Sequence, residues 1–178
     1  MLPWLSSGGA PWAERLHPVT IRPIRELGDP VLRTPADPVR TFDGDLAALV
    51  RDLEETVDHP GRAGLAAPQI GVGLRVFSYN VDDVIGHVVN PVITQLSEEL
   101  QDDDEGCLSV PGLYAPTVRA MYAVVEGFDV NGKPLLVEGS GLLARCLQHE
   151  VDHLDGKVFL DRLTGEARKQ ALRALRSR

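Results

Sequence analysis

The apolar positions change period several times along the chain, and each change marks an element. Between Asp45 and His59 the residues Leu46, Leu49, Val50, Leu53 and Val57 recur at three and four. That spacing predicts an amphipathic helix with one face on the core, ended by Pro60-Gly61. Residues 74–79 (LRVFSY), 86–96 (GHVVNPVITQL) and 121–130 (MYAVVEGFDV) are rich in β-branched and aromatic side chains and predict strands. Asn131-Gly132 predicts a tight turn from the last of these into 133–138 (KPLLVE), so an antiparallel sheet is the simplest assembly. From Ser140, as N-cap, to Gly156, as stop, the sequence SGLLARCLQHEVDHLDG predicts a helix of about four turns. A last helical pattern starts at Glu166 and gathers Arg168, Lys169, Arg173, Arg176 and Arg178 around Leu172 and Leu175. The first 20 residues hold two Trp, three Pro and a Ser-Ser-Gly-Gly run without periodicity. They predict a poorly ordered extension over 1–20, ahead of a single domain over 21–178.

Composition narrows the function classes. With 178 residues, 43% hydrophobic and 25% charged, the chain fits one packed domain. Its net charge of −8 opposes non-specific binding to a phosphate backbone, so DNA is not an expected partner. No apolar run is long enough to span a bilayer, and the N-terminal residues lack the pattern of a signal peptide, which predicts a cytoplasmic protein without a membrane partner. The two cysteines, Cys107 and Cys146, are too few for a disulfide framework and suit free thiols or metal ligands.

His149-Glu150-Val151-Asp152-His153 has the form H-E-x-x-H. On a helix its histidines lie about 40° apart, where both imidazoles can reach one ion, and Glu150 falls on the flank. The pattern alone is open to a second reading, as polar decoration of a helix surface. The helix wheel bears on that choice: Leu143, Leu147, Val151 and Leu154 form an apolar stripe, while Leu142 and Cys146 continue the histidine face. Histidines on a face shared with Leu and Cys are enclosed and need partners. A catalytic site also needs a third protein ligand and an open position. A metzincin would place a third His where Phe159 stands, and a gluzincin would have to use Glu166, which is too near and lies on a basic segment. Cys107, 42 residues before His149 in the segment EGCLS, is the better candidate, because thiolate binds Zn²⁺ and Fe²⁺ strongly.

Three blocks now stand in order along the chain: Gly64-Leu65-Ala66-Ala67-Pro68-Gln69, Glu105-Gly106-Cys107-Leu108-Ser109 and Gln148-His149-Glu150-Val151-Asp152-His153. They resemble the three signature motifs of peptide deformylases, metalloenzymes that remove the formyl group from the N-terminal formylmethionine of newly synthesised bacterial proteins. The similarity runs from about Ile24 to about Leu163. It implies an α+β fold in which antiparallel sheets surround a central helix that carries the HExxH motif. It further implies one divalent metal on Cys107, His149 and His153, with Fe²⁺ in the cell and Zn²⁺, Ni²⁺ or Co²⁺ able to replace it. Glu150 would take the proton of the metal's water and return it to the leaving amine. The Gln69 side chain and the Leu108 backbone N–H would stabilise the developing oxyanion. The segment around Gly64 would pair with the substrate main chain as an added strand, and Leu142, Arg145 and Cys146 would line the methionine pocket. The expected partners are N-formylmethionyl nascent peptides and, through the basic C-terminal helix, the ribosome.

Two positions depart from the family pattern. Arg62 stands where the first block normally opens with Gly, and Arg145 stands where many relatives carry an apolar residue; its stem is expected to cover apolar surface while its head reaches solvent. Glu105 is expected to pair with an Arg such as Arg119, and the acidic run Glu98, Glu99, Asp102, Asp103, Asp104 to form a solvated loop. The spacing of 36 residues from Gln69 to Glu105 and the helical C-terminus resemble the type I branch. Two rivals share the metal: a zinc endopeptidase with a different third ligand, and a non-catalytic metal-stabilised binding protein with a fourth.

Overall fold

The computed structural model describes residues 21–177, so the expected extension over 1–20 and Arg178 lie outside the described residues. The first helix, α1 (Gly44–Val57), begins where Asp43 accepts hydrogen bonds from the N–H groups of Asp45 and Leu46, both at 3.1 Å. Its side-chain oxygen satisfies donors that a helix start leaves unpaired. The face that α1 buries is the one its period predicts, Leu46, Leu49, Val50, Leu53 and Val57.

Five strands form one antiparallel sheet: β1 (Gly64–Ala66), β2 (Val76–Val81), β3 (Val84–Leu96), β6 (Tyr122–Phe128) and β7 (Pro134–Ser140), in the order β1-β2-β3-β6-β7. Asp82 and Asp83, with φ of 53° and 61°, make the tight turn between β2 and β3, a left-handed geometry that Asp tolerates better than most residues. At the predicted Asn131-Gly132 turn, Asp129 Oδ1 accepts from the N–H groups of Asn131 and Lys133, at 2.8 and 2.9 Å.

β4 (Leu100–Cys107) and β5 (Val110–Ala120) form a separate two-stranded ribbon. This corrects part of the expectation of a solvated acidic loop: Glu98 and Glu99 do lie in the exposed connection before β4, but Asp102, Asp103 and Asp104 pair with Val118, Thr117 and Pro116. A strand needs only its backbone to pair. The three Asp side chains stay in water while Gln101 and Glu105 turn inward, and β5 supplies the alternation that makes the inner face, with Leu113, Ala115, Thr117 and Arg119 buried.

The central helix, α2 (Leu142–Leu154), is capped by Gly141 and not by Ser140, which ends β7 paired with Tyr122. The chain turns sharply from strand to helix there, and Gly141 takes a φ of 59° that side chains disfavour. Every residue from Ala144 to Leu154 is buried. On one side Ala144, Leu147, Val151 and Leu154 pack on Phe77, Val88, Ala123, Val125 and Val137 of the sheet. Each fully buried aliphatic side chain contributes roughly 1.5–3 kcal/mol. On the other side α2 meets the ribbon through β5. The last helix, α3 (Gly165–Arg176), buries Ala171 against Val110, Leu113, Phe159 and Leu160. The result is the expected α+β arrangement, with antiparallel sheets around the helix that carries the histidines. Among the described residues no helix is long and apolar enough to cross a membrane.

Candidate metal centre

Burial of α2 carries His149 and His153, one turn apart, into the space between the sheet and the ribbon. Cys107 reaches the same space because the ribbon register shifts at the end of β4: Gly106 faces Tyr114, but Cys107 faces Val110. Cys107 Sγ lies 3.3 Å from His153 Nε2, which lies 3.1 Å from His149 Nε2. All three ligand atoms stand within 4.8 Å of one another. The donor set fits a divalent ion. His149 commits its Nδ1 to Glu105 Oε1 at 2.6 Å, which leaves Nε2 facing the other two ligands. Burial, and the charge that His149 would carry, push His153 well below the ordinary histidine value, so its imidazole is held neutral as a ligand must be. Among the described residues the group has three members, which matches catalytic rather than structural zinc sites.

Glu105 organises the surroundings. Its Oε1 accepts from His149 Nδ1 and from Arg119 Nη2, both at 2.6 Å. Its Oε2 accepts from Arg119 Nε at 3.0 Å and from Arg145 Nη1 at 2.7 Å. Burial alone would raise its pKa, but the hydrogen bonds from His149 and Arg119 outweigh it and hold the carboxyl well below the usual range. Arg119 Nη1 continues at 2.7 Å to Asp152, which also accepts from Nε and Nη2 of Arg162. The expected Glu105–Arg119 pair is present, within a larger chain that includes Asp152 and Arg162. Spacing alone could not reveal those two, since the chain is closed by residues from β4, β5, α2 and the segment after α2.

The structure corrects the expectation for Arg145. Its side chain is only 7% exposed, and its head turns inward to Glu105 and, at 2.8 Å, to the Thr117 carbonyl. At that depth a carboxylate is a far better partner for a guanidinium than distant water. Arg62, the other departure, donates from Nη1 to the Thr56 carbonyl at 2.5 Å, which ties its loop to the C-terminal end of α1.

A cavity of about 360 Å³ opens beside these three side chains, lined by every sequence-predicted site residue except His153. Glu150 is buried on its wall, with Oε2 lacking a hydrogen-bond partner among the described residues. Burial is the main cause that raises its carboxyl to about 7. Gln69 sits in a 3₁₀ turn over Ala67–Ile70, where its Oε1 accepts from Ala66 N–H at 2.8 Å. That bond aims Nε2 at Ser109 Oγ, 3.2 Å away, and at Cys107 Sγ, 3.6 Å away. Leu108 follows Cys107 on the same wall. β1, at the edge of the five-stranded sheet, contributes Gly64 to the lining. Buried Cys146 donates its thiol to the Ala63 carbonyl at 3.1 Å, and burial pushes that thiol well up, as for a wall residue rather than a ligand. Tyr114, 70% exposed at the rim with its ring over Gly106, was not anticipated; an isolated aromatic in a strand carries no signal of such a place.

The family model described as Polypeptide deformylase matches residues 21–169. The peptide deformylase of Acidothermus cellulolyticus is 61% identical over 158 residues, covering 89% of this chain and 87% of the relative. That of Mycolicibacterium paratuberculosis is 48% identical over 176 residues, covering 89% of each chain. Among solved structures, the peptide deformylase of Thermus thermophilus superposes with a TM-score of 0.82 at 44% identity, covering 88% of this chain and 94% of that one. The Synechococcus elongatus enzyme in complex with actinonin gives 0.79 at 37% identity, covering 85% and 84%.

Proposed function

The chain belongs to the polypeptide deformylase family, and from that premise we propose that Cys107, His149 and His153 hold its catalytic divalent metal, with Glu150 as general base. Its activity is removal of the formyl group from the N-terminal formylmethionine of newly synthesised proteins. The observation that carries the residue assignment is the convergence of one thiol and two imidazoles beside a cavity whose wall bears a buried carboxylate with Oε2 unpartnered among the described residues. When bound, the ion supplies Lewis acidity, which lowers the pKa of water from 15.7 toward roughly 7 and polarises a carbonyl.

The protein's own groups do the rest. Glu150, with its carboxyl raised to about 7, takes a proton as oxygen adds to the formyl carbon and gives it to the amine nitrogen as the C–N bond breaks. Formate and a free N-terminal amine result. Gln69 Nε2 and the Leu108 N–H donate to the formyl oxygen as charge gathers there; Gln69 is set in advance by its bond to Ala66. The edge of β1 at Gly64, unpaired among the described residues, receives the peptide main chain in a mode that accepts varied sequences, while Leu142, Cys146 and the stem of Arg145 form the wall for the methionine side chain.

The finer assignments are also part of this reading: Fe²⁺ as the ion in the cell, with Zn²⁺, Ni²⁺ or Co²⁺ as replacements, and the cytoplasm, where nascent chains emerge, as the location. For α3 we propose contact with ribosomal RNA through Arg168, Lys169, Arg173 and Arg176, supported by its cationic composition. Neither rival gains support, since the endopeptidase needs another third ligand and the scaffold needs a fourth.

The test is anaerobic purification, metal analysis and an assay of formate release from formyl-Met-Ala-Ser, with Glu150→Gln and Cys107→Ser in parallel. About one metal per chain is expected in the native protein and in Glu150→Gln, with formate release only in the native protein, and metal loss in Cys107→Ser. Full activity in Glu150→Gln, or full metal content in Cys107→Ser, would overturn the assignment.

A further inference from the structure

We propose that Arg145 is a positioning residue for the metal centre: it clamps the Glu105 carboxylate that orients His149, and so ties together the two elements that supply the ligands. The proposal rests on the reading of Cys107, His149 and His153 as those ligands. The ligand set is split, with Cys107 on β4 and both histidines on α2. Arg145 and His149 are one turn apart on α2 and reach the same carboxylate, Arg145 at Oε2 and His149 at Oε1. Arg119 grips both oxygens from β5. Without Arg145 the only remaining bond to Oε2 among the described residues is the one from Arg119 Nε, at 3.0 Å the longest of the four. The end of the Glu105 side chain could then rock, and the His149 ring with it. The second Nη1 bond, to the Thr117 carbonyl, anchors Arg145 to β5 as well, so one side chain braces α2 against both strands of the ribbon.

Stability alone does not account for this arginine. Its side chain is 7% exposed, and among the described residues its Nη2 has no hydrogen-bond partner and the nearest further carboxylate, on exposed Asp103, is 4.0 Å away. Removing one partner of a buried ion pair is costly when it strands the other charge, but Glu105 keeps Arg119 and His149 when Arg145 is replaced, so much of that cost is spared. What an apolar side chain cannot do is hold Glu105. The outer hydrogen bond of a histidine ligand sets how firmly it binds its metal, and losing such support typically costs 10- to 100-fold in affinity.

The experiment strips the purified protein with a chelator and titrates it with Co²⁺, reading the visible absorption of the bound ion and the dissociation constant by chelator competition. The thermal stability of the apo-protein is measured alongside. Arg145→Met is expected to raise the Co²⁺ Kd by about tenfold or more while lowering apo stability less than Arg119→Met does, and Arg145→Lys, which can still reach Oε2, to recover most of the affinity. A Kd for Arg145→Met within about twofold of native would overturn the proposal. So would a lowered apo stability with unchanged Kd. If Arg145→Met does not fold, Arg145→Gln is titrated against the same thresholds. A native apo-protein that fails to take up Co²⁺ would instead overturn the metal reading itself.

Discussion

Gly64 passes so close to Glu150 that a Cβ on it would collide with Glu150 Oε1 and stand 2.7 Å from Cys146 Sγ. The strand that offers its edge to the cavity and the carboxylate on the cavity wall therefore share one space, and only a residue without a side chain lets both keep their places. Gly64→Ala is expected to push the Glu150 carboxylate aside and lower kcat/KM on the order of 10²-fold, the usual result of misplacing a reacting group by about 1 Å. Metal content should not change. Steady-state kinetics with metal analysis checks this, and native rates in the variant would mean that Glu150 works from another position.

Gln69 tests the electrostatic half of the site. Gln69→Ala removes the Nε2 donor, and with it a long 3.6 Å bond to Cys107 Sγ, but leaves all three ligands in place, and a fall in kcat of roughly 10²–10³-fold is expected with metal still bound. A change confined to KM would instead make Gln69 a ground-state contact, a distinction that saturation kinetics on a formylated tripeptide makes directly.

Arg119 differs from Arg145 in what its loss strands. It serves Glu105 with two nitrogens and Asp152 with a third, and all three side chains are no more than 5% exposed. Arg119→Met is expected to destabilise the fold by about 3–5 kcal/mol, because it leaves buried carboxylates short of charge. Arg119→Lys should rescue little, since a single ammonium cannot reproduce the forked contacts. Urea unfolding of the apo-proteins measures both.

Asp129 gives a pH dependence remote from the metal. The backbone hydrogen bond from Lys133, and then that from Asn131, lower its pKa in the folded turn. A carboxyl lowered in the folded state adds stability above its unfolded pKa, about 3.9, and loses it as pH falls through the lower folded value. The difference in melting temperature between the native protein and Asp129→Ala should therefore be constant at neutral pH and shrink below about pH 4. A difference that stays level down to pH values near 2 would show that the turn does not depend on the charged form.

Much of this protein was legible in its sequence, because the relevant information is local. The three-and-four spacing of Leu46, Leu49, Val50, Leu53 and Val57 is enough to specify which face of α1 is buried. The H-E-x-x-H spacing places two imidazoles on one helical face whatever surrounds the helix, and thiolate chemistry singles out Cys107 as their partner. Asn131-Gly132 marks a turn by backbone preference alone.

Whatever depends on partners distant in the chain was set by packing. The aspartates of the acidic run, Asp102 to Asp104, became part of a strand because β5 offers them a backbone to pair with, and pairing of that kind leaves no mark on the charged segment itself. Arg145 turned inward because folding brings Glu105 and Thr117 within its reach, whereas its own neighbours in sequence suggest a surface head. The cost of burying a charge, and the side chain that offsets it, are properties of a site assembled from several elements. The same holds for Gly64, whose lack of a side chain matters only once α2 lays Glu150 against it. Local spacing and side-chain chemistry established which atoms could bind a metal and on which helix face two of them lie. How those atoms are held came from the packed fold, since the holding is done by residues from four segments that meet in space alone.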